Sequence, residues 1–479
     1  MEIRTLLTLI VWGVIMLLNL APDQAWGNSR IITDKKIETF RQALEQDGFQ
    51  VTPWTFGRVD ISCLVCNGIL PMGYGNNAGA PYLIITQEEG NPPHTIEVPR
   101  DIQLEPYDAV VFIGKTPPPA AYFSFSGYLF DYYDEGEPNK RKVVFSSLGD
   151  TINPHRINVR NKKLPYDQDV VIVMTPDRGT NARVWKAAQH ARIPHYLMNT
   201  FVVPSSVVNL GKGDDKDRFV FLQRIFLPDD ENDLETYLKD AEEWATVFYL
   251  TFPKPPALNP YPMPEVKVRG TGKTEVDLMP ALDKLEAAIL ADHPGYQATR
   301  YQSGIWLNEW LDGIQRGVNL LGECRDTVYL KTENFRLTDN VDDFLIVYGV
   351  NHEAAKKATY SNFSIYHYGK ELGIAGRHSR QLAGSADQYD LGKYQDKAKF
   401  LYAFKVARNC GGESNTKCLP VNKVPTTELC KSPLKTDCPL IDLGNDLFVA
   451  FRAYVEPKTG VGPYLYEILW DRVMHFSKP

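Results

Sequence analysis

The sequence has few histidines and no concentration of basic residues. It carries 52 Lys and Arg against 59 Asp and Glu, a formal net charge of −7, and its 9 histidines are scattered over 479 residues. Because phosphate binding needs clustered Lys and Arg, this argues against nucleic acid as a partner. No His-Glu-x-x-His pair, EF-hand loop, dinucleotide glycine pattern or Gly-x-Ser-x-Gly elbow occurs. The sequence therefore predicts neither a metal site nor a cofactor.

Long apolar runs are also missing, except near the N-terminus. Residues 5–21 carry no charge, and the small residues Ala25 and Gly27 follow. This pattern predicts a signal peptide over residues 1–27 that is cleaved before Asn28. The alternative is a membrane anchor formed by residues 5–21, at the short limit of what spans a bilayer. In both cases we expect an exported protein, periplasmic or extracellular, with no further membrane contact.

Cysteine is scarce, but its spacing is informative. Four of the 7 cysteines follow one another with spacings that do not fit zinc, whose paired ligands usually stand two to four residues apart. These four are Cys410, Cys418, Cys430 and Cys438. Two disulfides stapling the loop 410–438 fit better in an oxidising compartment. Cys63 and Cys66, in "CLVC", are interpreted as a structural bridge, which leaves one of the seven thiols free or paired between chains.

Six sequence patterns occur twice along the chain, in the same order. The pairs, first copy before second, are 34–52 and 276–299, 107–114 and 342–349, 122–128 and 360–366, 146–150 and 384–387, 170–178 and 400–408, and 219–228 and 448–457. Each copy starts with an amphipathic helix pattern and continues mainly as short strands bounded by turns, which favours antiparallel sheets. The sequence therefore predicts an α+β fold of two similar domains that arose by internal duplication.

A proline-rich segment separates the two copies. Six prolines fall between residues 253 and 264, and such a run forms neither a helix nor a central strand. It predicts a stiff, extended linker over residues 251–270. The first domain then spans residues 28–250, and the second spans residues 271–479 and contains the disulfide-stapled loop.

The repeated heptapeptides "YFSFSGY" and "YSNFSIY" supply the first candidate site. Alternate residues of a strand face opposite sides, so the even positions of each copy share one face. One interpretation is a ligand-facing wall in each domain, and the residues selected as ligand-binding are Tyr122, Ser124, Tyr128, Tyr360, Asn362 and Tyr366. The other interpretation is a hydroxyl-bonded inner layer that locks two sheets together.

The segment 373–387 supplies a second candidate. Arg377 and His378 stand there among glycines and serines, a composition that suits binding a carboxylate or phosphate. The same composition suits an exposed hairpin loop.

A third candidate follows the predicted strand "FLIVYG", where Asn351, His352 and Glu353 are consecutive. Catalytic groups often lie on loops that follow a rigid strand, and His352 is predicted to act as a general base oriented by a carboxylate. The matching segment of the first copy has no His or Glu, so one domain alone would carry this site. The alternative is a solvated turn.

The segment 326–366 contains "DTVYLKTENF" followed by "ATYSNFSIY". It resembles exported bacterial domains of unknown function, which pair an Asp-Thr-x-Tyr segment with an aromatic strand. The resemblance implies an exported, β-rich domain and carries over no catalytic residue.

Three functions are compatible with these patterns. The leading prediction is a protein that binds a small polar or aromatic ligand between its two domains, because domain junctions are common places for pockets. The second is a secreted hydrolase that uses His352 as its base. The third is a structural or surface protein without a small-molecule ligand. The sequence itself does not distinguish an enzyme from a binding protein, and it does not indicate an oligomeric state.

Overall fold

A computed structural model describes residues 30–78, 80–87, 102–424, 438, 441–444 and 446–478. Strand (33%) exceeds helix (21%), and the strands form several sheets, which confirms the predicted α+β class. The predicted signal peptide, residues 1–27, lies outside the described residues. In the described part of the chain, no helix combines the length and apolar character needed to cross a membrane.

Residues 30–251, called here the first half, contribute one sheet. Its strands are β1 (Gln50–Val59), β2 (Tyr82–Gln87), β3 (Ala109–Lys115), β4 (Ala120–Tyr133), β5 (Arg141–Ser147), β6 (Asp169–Thr175), β7 (Met198–Val202), β8 (Arg218–Pro228) and β9 (Thr246–Thr251). They lie side by side in the order β5-β4-β8-β2-β1-β9-β3-β6-β7. Among these neighbours, β6 and β7 are parallel and the other pairs are antiparallel.

The described helices of the first half are α1 (Asp34–Gln46), α2 (Ile61–Cys66), α3 (Arg178–His190), α4 (Glu231–Lys239) and α5 (Ala241–Trp244). Three of them begin directly after an aspartate whose carboxylate accepts a backbone N–H of the first turn. These caps are Asp60 before α2, Asp177 before α3 and Asp230 before α4. The caps satisfy donors that a helix start would otherwise leave without a partner, which fixes where each helix begins.

Residues 276–478, called here the second half, form two sheets. The strands are β10 (Gln297–Tyr301), β11 (Ser303–Ile305), β12 (Thr327–Thr332), β13 (Phe344–Val350), β14 (Tyr360–His367), β15 (Leu372–His378), β16 (Leu401–Ala407), β17 (Cys418–Pro420), β18 (Leu447–Tyr454) and β19 (Arg472–Ser477). Their orders are β15-β14-β18-β12-β11 and β10-β19-β13-β16-β17. The described helices are α6 (Met279–Ala291), α7 (Trp310–Arg316) and α8 (Ser379–Leu382).

The two halves arrange their strands in the same order. Each first-half strand has a counterpart numbered ten higher, and β10 and β11 together take the place of β1. The directions agree too, since β16 and β17 are parallel like β6 and β7. Strand β1 is itself divided, because Gln50–Trp54 pairs with β9 and Trp54–Val59 pairs with β2. Each half therefore consists of two groups of strands, called wings here. In the first half the wings are β5-β4-β8-β2 and β9-β3-β6-β7, joined by the continuous strand β1. In the second half they are the two separate sheets, which contain β11 and β10 in place of β1.

The two wings of each half face each other and enclose its core. In the first half, the ring of Phe112 on β3 lies 5.4 Å from the ring of Phe125 on β4, although four strands separate β3 from β4 in the sheet. In the second half, Phe363 on β14 and Tyr402 on β16 belong to different sheets and lie 6.3 Å apart. The layers thus pack as in a β-sandwich, with apolar side chains between them.

A long helix near the start of each half packs on the outside of one wing, and in the first half α3 packs in the same cluster. Helix α1 buries Phe40 and Leu44 in a cluster with residues of β3, β6 and β9. Helix α6 buries Leu282 and Leu285 in a cluster with residues of β13, β16 and β19. Spacings of three or four residues place these side chains on one helical face, which explains why the sequence pattern predicted both helices.

The proline-rich segment 252–275 joins the halves without a helix or a regular strand. Its Asn259 carbonyl accepts the N–H of Arg178 at 2.8 Å, and its Tyr261 N–H donates to the Pro176 carbonyl at 2.9 Å. These bonds fasten the connector along the first half. The predicted linker, residues 251–270, falls almost entirely within this segment.

A disulfide between Cys66 and Cys438 joins the two halves covalently. Its residues stand 372 positions apart, and the bond connects α2 of the first half to the second half. Cys63 is disulfide-bonded as well. The predicted bridge between Cys63 and Cys66 is therefore wrong. The two residues share a short helix that directs Cys66 towards the opposite half, a partner that local spacing does not reveal.

The loop 410–438 contains one of the two disulfides expected within it. Cys410 and Cys418 are bonded, whereas Cys438 pairs with α2 and Cys430 lies outside the described residues. Cys324 is the free thiol of the described cysteines, and it is buried. Disulfides of this kind are compatible with an exported protein.

The disulfide between the halves gives a stability prediction. Replacing Cys66 and Cys438 together by serine should lower the free energy of unfolding by about 2–5 kcal/mol, because the bond closes a very long loop and restricts the unfolded chain. Guanidinium unfolding followed by circular dichroism measures this loss. The matched control replaces Cys410 and Cys418, which close a loop 8 residues apart and should cost less. Equal losses in the two variants would contradict the prediction.

Candidate functional site

The two repeated Tyr/Ser strands, β4 and β14, lie at the contact between the halves. Their selected side chains are buried, with exposed fractions between 0% and 7%; they are Tyr122, Ser124, Tyr128, Tyr360, Asn362 and Tyr366. The opposite face of β4 carries Phe123 and Phe125, which belong to the first-half core. The burial agrees with the interpretation of an inner layer between sheets. A ligand-binding role for these side chains stays a prediction.

Aromatic rings from both halves pack at the centre of this contact. Tyr122 is paired with Phe226 on the neighbouring strand, and Tyr360 is paired with Tyr454 in the same way. Across the contact, Tyr122 lies 4.8 Å from Tyr454, and Phe226 lies 5.4 Å from Tyr360, between ring centroids. Such ring pairs stabilise the contact by about 0.5–1.5 kcal/mol each beyond the area they bury. The two strand pairs thus meet in one apolar cluster.

Two arginines occupy equivalent positions beside these rings. Arg224 on β8 stands opposite Ser124, and Arg452 on β18 stands opposite Asn362, so both follow the same register. Each is buried and donates to the backbone of the other half. Arg224 Nη2 donates to the Gly322 carbonyl, and Arg452 Nη2 donates to the Gly75 carbonyl at 2.6 Å.

The two glycines that accept these bonds are required by their geometry. Gly75 has φ +62° and Gly322 has φ +70°, in the left-handed region that favours glycine. A Cβ at Gly75 would lie 3.2 Å from the Trp306 ring, and one at Gly322 would lie 2.8 Å from the Phe145 ring. Both positions therefore hold the backbone close to the opposite half, within reach of the arginines.

Neither guanidinium has a carboxylate partner in the described part of the chain. The groups around Arg224 are the Tyr128 ring, 5.4 Å away, and the thiol of Cys324. Arg452 is surrounded by the rings of Trp306, Tyr329 and Tyr366, each 5.4 Å from its guanidinium carbon. Arginine stays protonated in proteins, so two positive charges are buried here without a bonded carboxylate. The buried carboxylates of Glu323 and Asp326 flank Cys324, but they accept hydrogen bonds from Ser147 and Tyr122. Such burial is costly unless a counter-charge is supplied.

Tyr366 illustrates the polarity of the site. Burial raises the pKa of its hydroxyl to about 12, although the neighbouring Arg452 guanidinium lowers it. The hydroxyl is therefore neutral at physiological pH; it accepts from Arg452 Nη1 and donates to the Asn76 carbonyl at 2.8 Å. Arg452 consequently finds neutral oxygens on its two terminal nitrogens, and its charge is not cancelled.

Both arginines line one cavity of about 60 Å³ between the halves. The other lining residues include Asn77, Tyr82, Tyr329 and Tyr454. A wider cleft of about 170 Å³ adjoins it and shares three of its residues, which are Ile61, Asn76 and Tyr82. The small cavity can hold a few atoms, since a single water needs about 10–15 Å³. Its size and its two arginines suit a small anion, whereas the adjoining cleft carries Asp60, Glu231 and Glu235 beside Arg58.

A larger groove of about 500 Å³ lies along α3, between Trp185 and the connector residue Tyr261. Its cations Arg178 and Lys186 are exposed to solvent. Water already stabilises their charge, so the groove lacks the buried positive field found between the halves.

His352 lies in a buried network that is separate from this cavity. Its Nδ1 is 2.9 Å from Glu275 Oε1, and its Nε2 is 3.7 Å from Asp471 Oδ2. Burial alone would lower the pKa of His352, but these two carboxylates raise it to about 10. The imidazole is therefore protonated at neutral pH, in an arrangement typical of a structural ion pair rather than a general base.

The other two members of the predicted catalytic trio point elsewhere. Glu353 accepts from the Ser379 hydroxyl and from Arg380, and Asn351 Nδ2 donates to the Ser379 carbonyl at 2.8 Å. The carboxylates that meet His352 are thus distant in sequence, and Glu353 is not among them. A catalytic role for the trio stays a prediction, and the geometry does not bring its three side chains to one point.

Arg377 and His378 lie at the end of the edge strand β15. Arg377 Nη2 donates to the Asn415 carbonyl at 2.8 Å, and His378 caps α8 by accepting the Gln381 N–H at 3.4 Å. Burial and the nearby arginines lower the pKa of His378 to about 4, so it is neutral and able to accept this bond. Within the described ranges, neither side chain lines the cavity between the halves.

Sequence reasoning missed Asp326, which anchors the contact. This buried carboxylate accepts from the Tyr122 hydroxyl at 2.8 Å, from Thr151 and from Asn153 Nδ2 at 2.9 Å. Arg224 and Arg452 lie in the repeated segments 219–228 and 448–457, but they were not among the predicted site residues. The available signal was a single basic residue in each of two largely apolar segments, "FVFLQRIFLP" and "FVAFRAYVEP".

Comparison with models of known protein families gives no match, and no curated protein is significantly similar to the chain in sequence. The function is therefore argued from the geometry between the halves.

The buried histidine gives a pH prediction. Because the pKa of His352 is raised from an ordinary 6.5 to about 10, its stabilising contribution is complete below pH 6.5 and is lost as the pH rises towards 10. The free energy of unfolding should fall across this interval by up to about 1.4 kcal/mol per pH unit. Urea unfolding at half-unit steps measures the slope. His352→Gln should flatten it, whereas His190→Gln, at an exposed position of α3, should not.

Proposed function

We propose that this protein is an exported, internally duplicated binding protein that holds a small anion, an oxyanion or a carboxylate, between its halves. The observation that carries the proposal is the pair of buried guanidinium groups, Arg224 and Arg452, on one cavity without a carboxylate among the described residues. Arginine recognises oxyanions by charge-assisted hydrogen bonds, which are about twice as strong as neutral ones.

The duplication is supported by strand order and by register. The wings of the second half repeat the strand order of the first, with β10 and β11 in place of β1. In each half the arginine is flanked by a tyrosine on one side, Tyr82 for Arg224 and Tyr329 for Arg452. Two copies related in this way form a self-complementary contact, like the interface of a symmetric dimer.

The location of the site is supported by how rigidly the halves are held. The Cys66–Cys438 disulfide, the aromatic cluster and the exchanged arginine bonds all cross the contact. A cavity with fixed donors binds an anion without first ordering the site, which favours affinity. Entry would occur through the adjoining cleft beside Ile61 and Tyr82.

Export is supported by three features of the chain. The apolar run at residues 5–21 is typical of a signal peptide. The disulfides need an oxidising compartment. The segment 326–366 resembles exported β-rich domains. An exported binding protein would meet its anion outside the cytoplasm.

The test titrates the purified protein with sulfate, phosphate, acetate and chloride in separate calorimetric experiments. We expect saturable binding of at least one oxygen-bearing anion and none of chloride at the same ionic strength. An anion present at 100 times its Kd should raise the free energy of unfolding by about 2.7 kcal/mol. Arg224→Met should weaken binding at least tenfold, because it removes charge-assisted hydrogen bonds worth about 1.5–3 kcal/mol. Arg452→Met removes the second positive charge on the cavity and should weaken binding by a smaller factor, because both terminal nitrogens of Arg452 already have protein partners.

Two controls make this experiment decisive. Arg336→Met removes an exposed arginine paired with Asp446 and should leave anion affinity unchanged. Each cavity variant keeps the Cys66–Cys438 disulfide and the aromatic cluster that also cross the contact, so it should stay folded by circular dichroism, with a lower free energy of unfolding. If the folded protein binds none of the oxygen-bearing anions, or binds them equally well without the two arginines, the proposal fails.

A further inference from the structure

Two matching backbone positions, Asn77 and Cys324, lie at the contact between the halves but carry different side chains. Asn77 and Arg224 line the cavity, whereas Cys324 is not among its lining residues. The N–H of Asn77 donates to the Tyr82 hydroxyl at 2.8 Å, and the N–H of Cys324 donates to the Tyr329 hydroxyl at 2.9 Å. In both cases the tyrosine stands five residues further along the chain. Asn77 and Cys324 therefore occupy matching places, each against the Tyr/Ser strand of the opposite half.

Most polar groups have hydrogen-bond partners at the Asn77 corner, which consists of Asn77, Asn362, Ser364, Tyr366 and Arg452. Its Oδ1 accepts from Asn362 Nδ2 at 2.8 Å and from Ser364 Oγ at 3.3 Å. The Tyr366 hydroxyl and both terminal nitrogens of Arg452 also have partners there. Asn362 Oδ1 is the buried polar side-chain atom of this strand face that keeps no partner among the described residues.

The Cys324 corner consists of Cys324, Ser124, Ser126, Tyr128 and Arg224. Here Cys324 does not provide the hydrogen bonds that Asn77 provides at the other corner. Four buried atoms have no hydrogen-bond partner outside this corner within the described part of the chain: Ser124 Oγ, Ser126 Oγ, Tyr128 Oη and Arg224 Nη1. Of these, the hydroxyls of Ser126 and Tyr128 interact with each other. A thiol is a weak acceptor and carries no amide oxygen, so it cannot do what Asn77 does. Buried donors without acceptors cost free energy, and several together at one place are typical of a functional site.

All four groups can donate. Arginine donates only, and each hydroxyl can turn its O–H towards an incoming acceptor. The group that completes this corner must therefore bring several acceptor atoms, together with the negative charge that Arg224 lacks. An oxyanion of the sulfate or phosphate type meets both requirements, whereas a halide brings a single acceptor.

We propose that the anion of the proposed function is a tetrahedral oxyanion held at the Cys324 corner, and that the Asn77 corner is its filled, non-binding counterpart. This inference rests on anion binding between the halves and adds where the anion sits and what its chemistry is. The Asn side chain that closes one corner is replaced at the other by a smaller residue, so that a ligand can provide the missing oxygens.

The test copies one corner onto the other. Cys324→Asn should place an amide oxygen against Ser124 and Ser126, as Asn77 does against Asn362 and Ser364. Without added anion we expect its Tm to rise by about 1–3 °C, since orphaned donors gain an acceptor. Its affinity for inorganic sulfate and phosphate should fall at least tenfold in calorimetric titration, because the amide competes for the same donors.

A matched pair of smaller changes provides a second measurement. Ser126→Ala removes a donor from the Cys324 corner and should weaken sulfate binding about fivefold or more. Ser364→Ala, the equivalent change at the Asn77 corner, should leave the affinity within about twofold of the wild type. Both substitutions are small, so both variants are expected to fold even if the asparagine variant does not.

The outcomes separate this inference from the proposed function. Sulfate binding that survives Cys324→Asn, or that falls equally in the two serine variants, overturns the placement at the Cys324 corner while anion binding stands. Binding of acetate but not of sulfate or phosphate overturns the tetrahedral class. Absence of binding for every anion in the wild-type protein overturns both.

Discussion

The architecture depends on two buried arginines that reach across the molecule in opposite directions. Arg224 and Arg452 each donate to a glycine carbonyl of the other half, so neither half can shift without breaking both bonds. Because these side chains carry full charges in a buried contact, breaking one of their bonds costs more than breaking a bond between neutral groups. The tight glycine turns, the tyrosine layer and the small cavity all follow from holding the two carbonyls in place.

A contact built from two similar halves begins with two equivalent corners, as in a symmetric dimer. Because both halves belong to one chain, the two corners can carry different side chains. At one corner Asn77 completes the hydrogen bonds of its strand, and at the other Cys324 does not. The difference between Asn77 and Cys324 therefore separates a corner whose hydrogen bonds are largely complete from one with available donors, although the backbone is equivalent.

Much of the fold could be predicted from local sequence, because it depends on periodicity and on backbone chemistry. The apolar spacing of α1 and α6, the short strands and the proline-rich connector all follow from neighbours within about ten residues. The site could not be predicted in this way. His352 contacts Glu275, 77 residues away, rather than the adjacent Glu353. Arg224 bonds to the carbonyl of Gly322, a residue of the other half. Burial of a charge is a property of the assembled halves.

The bond between Cys66 and Cys438 also has a consequence for how the protein is made. The second cysteine is synthesised 372 residues after the first, which takes about 20–70 s at ordinary translation rates. During that interval the Cys66 thiol stands three residues from Cys63 and must not remain trapped in a bond to it. An early bond between Cys63 and Cys66 would have to be exchanged by thiol attack before Cys66 could pair with Cys438, and disulfide isomerases accelerate this kind of exchange.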